Sequence, residues 1–243
     1  MAFKPQIAYF AAHRAEDQLE RLIAAIRREA RGIPVILDAK RGDIGSTAEQ
    51  YAREAFDRYG ADAVTLSPFL GPDTIEPFLR YDGKGLFLLG WTSNPGSSAL
   101  QGRRTILSQE EMKAVEQQLG EELSAMSLPM HDWLAFDMSH NWGIPIERLG
   151  LVVGATHPGA AKRIRQLVGP EPMLLIPGIG AQGGSEADAM AAWTGRGSVI
   201  VNASRSVSYA STKGDEKWGD AVERVAFVTR NSLRSHRPQL ATA

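Results

Sequence analysis

The chain has no cysteine among its 243 residues. That removes disulfides, a thiol nucleophile and cysteine-bound structural zinc at once. The five histidines (His13, His131, His140, His157 and His236) lack the H-x-H or H-x-x-x-H spacing that would set two imidazoles on one metal. Neither sign of charge prevails, with 27 basic against 28 acidic residues, so there is no footprint for nucleic acid or another polyanion. No apolar run reaches the length of a membrane span, and the start has no apolar signal core. The expectation is a cytoplasmic protein that touches neither membrane nor nucleic acid.

What the sequence does contain is an alternation. Apolar runs of β character recur at 3–10, 33–38, 63–67, 85–91, 149–154, 173–177 and 198–202. Helical patterns separate them at 14–30, 46–59, 73–80, 108–137, 159–168, 185–194 and 216–235. Strands alternating with helices predict a parallel sheet clothed by helices, and near-continuous apolar strands fit burial on both faces. No linker or low-complexity tract interrupts the pattern, so residues 1–243 read as one (β/α) domain, a size that buries a substantial core. The most loop-like stretch is 93–108, with Asn94, Pro95, Gly96, Ser97 and Ser98 in succession. Seven strand–helix units can be counted, where a closed (β/α)8 barrel has eight.

Charge concentrates at the end of the second apolar run. Asp38 and Lys40 are two residues apart, a spacing that puts both side chains on one face of a strand, and Asp43 follows in the connection. Ser46 and Glu49 have the spacing of a capping box, ahead of a helical stripe of Ala48, Tyr51, Ala52, Ala55, Phe56 and Tyr59. Charges at the end of a buried strand are costly unless they are paired or do chemistry. An Asp-x-Lys alone reads as a solvated surface ion pair; the full string reads as an active site. Two glycine-rich segments follow later strands: Pro177 to Gly184, and Asn202 to Arg205. Glycines let backbone N–H groups approach an anion, and an arginine can grip phosphate oxygens in bidentate fashion. The loops after the last two strands of such folds often bind phosphate.

The string Asp38-Ala39-Lys40-Arg41-Gly42-Asp43-Ile44-Gly45-Ser46-Thr47 resembles the signature of orotidine 5'-monophosphate decarboxylases, in particular their longer bacterial branch. The resemblance implies a TIM-type (β/α)8 barrel that needs no metal or other cofactor. It implies an Asp–Lys–Asp–Lys network of Asp38, Lys40, Asp43 and Lys4. In that network Lys40 is the proton donor to the ring carbon that loses carbon dioxide, and Asp38 lies near the departing carboxylate. Asp43 and Thr47 reach into the site of a partner subunit, which implies a homodimer. Ser93 matches the residue on the pyrimidine edge, and Gln182 and Arg205 match those on the phosphate, beside Gly180 and Gly183. Trp91 stands where similar sequences carry an arginine.

The resemblance begins at the family's second strand. The strand before it carries an aspartate that holds the ribose hydroxyls, so the expectation is a barrel short of its first strand–helix unit. Two other readings stay open on these residues. One is a magnesium-dependent sugar-phosphate decarboxylase or aldolase of the same superfamily, whose similar Asp-x-Lys-x-x-Asp binds the metal. The other is a non-catalytic fragment that binds the nucleotide poorly. Glu110, Glu111, Glu121 and Glu122 read as exposed faces of one long amphipathic helix, and His157 with Pro158 as a turn opening a helix.

Overall fold

The computed structural model describes residues 1–157, 159–180, 183–195 and 199–237. It divides into two units, Met1–Leu89 with Met138–Leu151, and Gly90–Asp137 with Val152–Ala243. The first unit runs α1 (Ile7–Ala11), α2 (Glu16–Glu29), β1 (Ile36–Arg41), α3 (Gly45–Arg53), β2 (Ala63–Leu66), α4 (Glu76–Leu79) and β3 (Gly85–Trp91), the end of β3 passing into the second unit. There follow β4 (Arg104–Ile106), α5 (Gln109–Leu119), β5 (Ser127–Pro129) and α6 (Met130–His140). The chain then continues through β6 (Leu149–Val153), α7 (Ala160–Val168), β7 (Met173–Pro177) and α8 (Glu186–Met190). It closes with β8 (Val199–Asn202), α9 (Arg205–Ser208) and α10 (Trp218–Ser235).

In the first unit the strand order is β1-β2-β3-β6, with β1, β2 and β3 parallel and Ala63 opposite both Ile36 and Gly85. In the second it is β6-β7-β8, with β7 and β8 parallel and Leu174 opposite Val199. Most apolar runs become strands because they are covered on both faces, although β8 is half-buried throughout: Val35, Leu37, Val64, Leu86 and Leu88 are fully buried in the first unit. Val153, Leu174 and Ile176 are fully buried in the second. Each such side chain contributes about 2 kcal/mol relative to exposure. Leu19, Ile23 and Ile26, at spacings of four and three, give α2 its buried stripe, while Arg21 and Asp17 pair on its solvent side.

Three local expectations are corrected. The run 3–10 is not a strand throughout. Phe3 and Gln6 bridge β1 in parallel opposite Val35 and Asp38. Pro5, between them, has no N–H for the ladder, and the chain turns into α1, where the Gln6 carboxamide accepts from Ala8 N at 3.5 Å. The single helix expected at 108–137 is two helices. Gly120 takes a left-handed φ of 69° that ends α5, and β5, paired antiparallel with β4 from before the interval, lies between the two helices. Glu121 and Glu122 therefore lie beyond the helix. The Ser46–Glu49 capping box is not formed either. Helix α3 begins at Gly45 behind an extended Ile44, so Ser46 falls inside the first turn and Glu49 pairs with Arg80 at 2.7 Å. The box that does form is Ser108 with Glu111, opening α5.

Candidate active site

The charged string forms its cluster where β1 stops being a regular strand. The register against β2 shifts between Leu37 and Arg41, and Lys40 sits at φ +49°, a left-handed conformation that costs a non-glycine residue free energy and often marks functional sites. A hydroxyl from β2 stands in for the lost ladder bonds. Thr65 Oγ1 accepts from Ala39 N at 3.0 Å and from Lys40 N at 2.9 Å, and donates to Asp38 Oδ1 at 3.0 Å. Asp38 and Lys40 do share a face, as their spacing predicts, with Lys40 Nζ 2.5 Å from Asp38 Oδ1. Lys4, placed between the two bridges that join the N-terminal segment to β1, donates to the other oxygen, Oδ2.

Asp38 is buried, Lys4 half-buried and Lys40 exposed. Burial pushes the Asp38 carboxyl up, but the Lys4 and Lys40 ammoniums together outweigh it and hold the group below the ordinary carboxylate range. The result is a charged carboxylate with both oxygens occupied, holding an accessible ammonium at the C-terminal end of a strand. Chemically, such an arrangement presents a fixed positive charge and a transferable proton to whatever lies above β1.

The rest of the string anchors the loop. The Arg41 guanidinium pairs with Glu54 at 2.8 Å and stacks 4.3 Å over the Tyr51 ring, tying the strand end to the helix that follows. A Cβ at Gly42 would stand 3.0 Å from Ser67 Cβ, so a side chain there would push the loop off β2. Asp43 Oδ1 accepts from Ile44 N at 2.8 Å and makes no ion pair with Lys40 among the described residues. Thr47 is exposed on α3.

The remaining sequence-predicted site residues belong to the second unit. Ser93 follows β3, and its carbonyl accepts from Thr156 Oγ1 at 3.1 Å. Gly180 and Gly183 lie in the loop after β7, at φ values of 68° and 87° that L side chains rarely adopt. That loop folds on itself through Gly183 N to Gly180 O at 2.8 Å and Gly184 N to Gly178 O at 2.9 Å. Arg205 opens α9 just past β8 with its side chain exposed. Gln182 lies outside the described residues. Lys40, Asp43, Ser93, Gly180, Gly183 and Arg205 each stand at or beyond the C-terminal end of a strand, where barrel enzymes carry their chemistry, whereas Asp38 lies within β1, Lys4 between its two bridges and Thr47 on α3.

Two features escape sequence reasoning. Thr65 is concealed because threonine is an ordinary strand residue; the one available signal is a lone hydroxyl inside the Ala63–Leu66 run. The second is a stack: the Trp91 indole lies between the imidazoles of His131 and His157, with ring centroids 3.5 Å and 3.9 Å away. Beside it, Asp132 Oδ1 is 3.3 Å from His131 Nε2, and Arg163 Nε is 3.7 Å from Asp132 Oδ2. Burial pushes His131 down and Asp132 up.

Comparisons with known proteins identify the family. Residues 1–217 match the model of the orotidine 5'-phosphate decarboxylase / HUMPS family. The orotidine 5'-phosphate decarboxylase of Variovorax paradoxus (strain S110) is 52% identical over 239 residues, covering 98% of this chain and 80% of that protein. Among solved structures, the Leishmania donovani OMP decarboxylase superposes with a TM-score of 0.73 at 33% identity, over 96% of this chain and 81% of that one. The Leishmania donovani UMP synthase gives a TM-score of 0.77 at 33% identity over 97% of this chain, which spans 46% of its length. The fold class is accordingly α/β, as the strand–helix alternation predicts, and of the TIM type that the resemblance implies. With a signature string folded into a lysine–aspartate–lysine cluster and half-identical relatives matched over nearly its whole length, the chain belongs to the orotidine 5'-phosphate decarboxylase / HUMPS family.

Proposed function

We propose that this chain decarboxylates orotidine 5'-monophosphate to uridine 5'-monophosphate in pyrimidine nucleotide synthesis, with Lys40 as the proton donor. The observation that carries the reading is the Lys4–Asp38–Lys40 cluster braced by Thr65. Decarboxylation breaks the bond between the ring carbon and its carboxylate carbon, and the electron pair stays on the ring carbon. The Lys40 ammonium stabilises that pair and then transfers a proton to it; the amine left behind regains a proton from water. Charges fixed in advance toward a developing charge need no reorganisation during the reaction, which is the strongest general form of electrostatic catalysis. Asp38 orients the ammonium, and its repulsion of the substrate carboxylate is relieved as carbon dioxide leaves.

Ser93 takes the pyrimidine edge, and Arg205 with the Gly180–Gly183 turn takes the phosphate, joined by Gln182. Binding energy from the distant phosphate then serves to organise the ring against Lys40. Asp43 and Thr47 serve the site of a second copy in a homodimer; the exposure of Thr47 and the absence of an ion pair from Asp43 to Lys40 in its own chain support that reading. The magnesium-dependent alternative asks Asp38 for a divalent cation. Two ammoniums already on its oxygens repel one.

The test is turnover of orotidine 5'-monophosphate by the purified chain, followed by ultraviolet absorbance in excess chelator. Undiminished formation of uridine 5'-monophosphate is expected. Activity lost on chelation and restored by magnesium would move the chain to the metal-dependent reading. Mixed Asp43→Ala and Lys40→Ala proteins should recover activity if sites are shared; no recovery despite subunit exchange would exclude sharing.

A further inference from the structure

One turn touches both loops that the proposed function places on the substrate, and the inference rests on that reading of them. It is the turn from Gly154 to His157 that follows β6. On one side it clasps the loop after β3. Gly154 N donates to Trp91 O at 2.6 Å, Thr156 Oγ1 to Ser93 O at 3.1 Å, and His157 Nε2 lies 3.1 Å from both Thr92 O and Ser97 Oγ. A carbonyl only accepts, so Nε2 carries the ring proton. The approach is close enough to exclude a side chain, since a Cβ on Gly154 would stand 2.6 Å from Ser93 Cα. On its other side the same turn carries the glycine loop. Ala155 N donates to Pro177 O at 2.8 Å, and a Cβ on Gly184 would stand 2.6 Å from Ala155 Cβ.

The stack completes the clasp. Trp91 is held between His157 and His131. His131 Nδ1 lies 2.9 Å from Gln101 O, and Gln101 Oε1 accepts from Thr92 N at 2.9 Å. Both ends of the segment from Thr92 to Gln101 thus meet at one aromatic sandwich, and His157 joins it to the turn.

We infer that the turn Gly154–His157 is a positioning element that sets the ring-edge loop and the phosphate loop at one fixed spacing, with His157 as its principal side chain. His157 and Thr156 act through Ser93 and the glycine loop, without touching the reacting carbon. Their loss should therefore weaken substrate capture more than the chemical step.

The experiment compares wild type with His157→Ala, His157→Gln and Thr156→Val by steady-state kinetics on orotidine 5'-monophosphate and by amide hydrogen exchange without ligand. His157→Ala should raise KM about tenfold, the size of one or two lost hydrogen bonds, with kcat changed less than about threefold. His157→Gln, whose amide reaches where Nε2 was, should recover most of the loss. Exchange should quicken at Thr92–Ser97 and at Gly178–Gly180 together. Unchanged exchange in both segments, or a glutamine variant as impaired as the alanine one, would overturn the inference. If the wild-type chain turns over no substrate, the functional reading fails by itself, and exchange still decides the turn. Faster exchange in both loops would uphold it, and unchanged exchange would reject it.

Discussion

Asp38 and Asp132 are almost equally buried, at 6% and 5% exposure, yet their surroundings drive them in opposite directions. Asp38 in the first unit receives two ammoniums and a hydroxyl on its two oxygens and is held below the ordinary carboxylate range. Asp132 in the second unit faces a histidine at 3.3 Å and an arginine at 3.7 Å, with Oδ1 making no hydrogen bond among the described residues, and burial pushes it up. Depth alone does not decide whether a buried carboxylate keeps its charge; the number of donors in bonding geometry does. A carboxylate held firmly charged can orient a catalytic cation. One that is poorly paired is a structural residue beside an aromatic stack.

Substitution is the sharpest way to break this contrast. Asp38→Asn should lower kcat by about 10^2-fold or more by leaving Lys40 without its counter-charge, while Asp132→Asn should leave kcat within about threefold of wild type. Comparable losses in steady-state assays of both would erase the distinction. Arg205→Ala should raise KM by about tenfold or more through loss of a charge-assisted phosphate contact, with little change in unfolding midpoint. An unchanged KM would remove Arg205 from the phosphate site. In stability, Asp38→Ala leaves two ammoniums facing each other and should cost about 3 kcal/mol by denaturant unfolding. Asp132→Asn should cost about 1 kcal/mol or less, because it removes a charge that the fold pairs poorly.

Acid should separate the two regions by pH window. A histidine whose folded pKa is lowered binds its proton more readily when unfolded, so its contribution is whole above 6.5 and is lost as pH falls through the folded value. His131→Gln should flatten the loss of stability that begins below pH 6.5. A depressed carboxylate likewise contributes above its unfolded value of 3.8 and loses that contribution as pH falls toward its folded one. Asp38→Asn should flatten the loss below pH 3.8 and leave the histidine window in place. Unfolding midpoints taken across pH 7 to 3 check both, and identical slopes in wild type and variants would contradict the assignment.

Much of this was legible before the structure. The Asp38–Lys40 contact is the one a spacing of two suggests, though regular strand geometry ends at Lys40, and the strand–helix alternation follows from apolar runs that are buried where expected except in the half-buried β8. Other parts depend on information the local sequence does not carry. The left-handed backbone at Lys40 is held by Thr65, a residue from the next strand whose type is unremarkable there. The Ser46–Glu49 spacing suits a cap, but Gly45 starts the helix two residues early, and the real box stands at Ser108. Gly120 breaks a pattern that reads as continuous helix, because its left-handed turn outweighs the flanking periodicity. The Trp91 stack joins residues 40 and 66 positions apart in sequence, a distance at which period and spacing carry no signal.

The most direct test of the central claim is the turnover number of the Lys40→Ala chain on orotidine 5'-monophosphate, measured beside wild type in excess chelator. With Lys40 as the charge and proton at the reacting carbon, kcat should fall by at least about 10^3-fold while the fold persists by circular dichroism. A folded Lys40→Ala protein retaining a tenth or more of wild-type turnover, on the order of a single lost hydrogen bond, would contradict the claim.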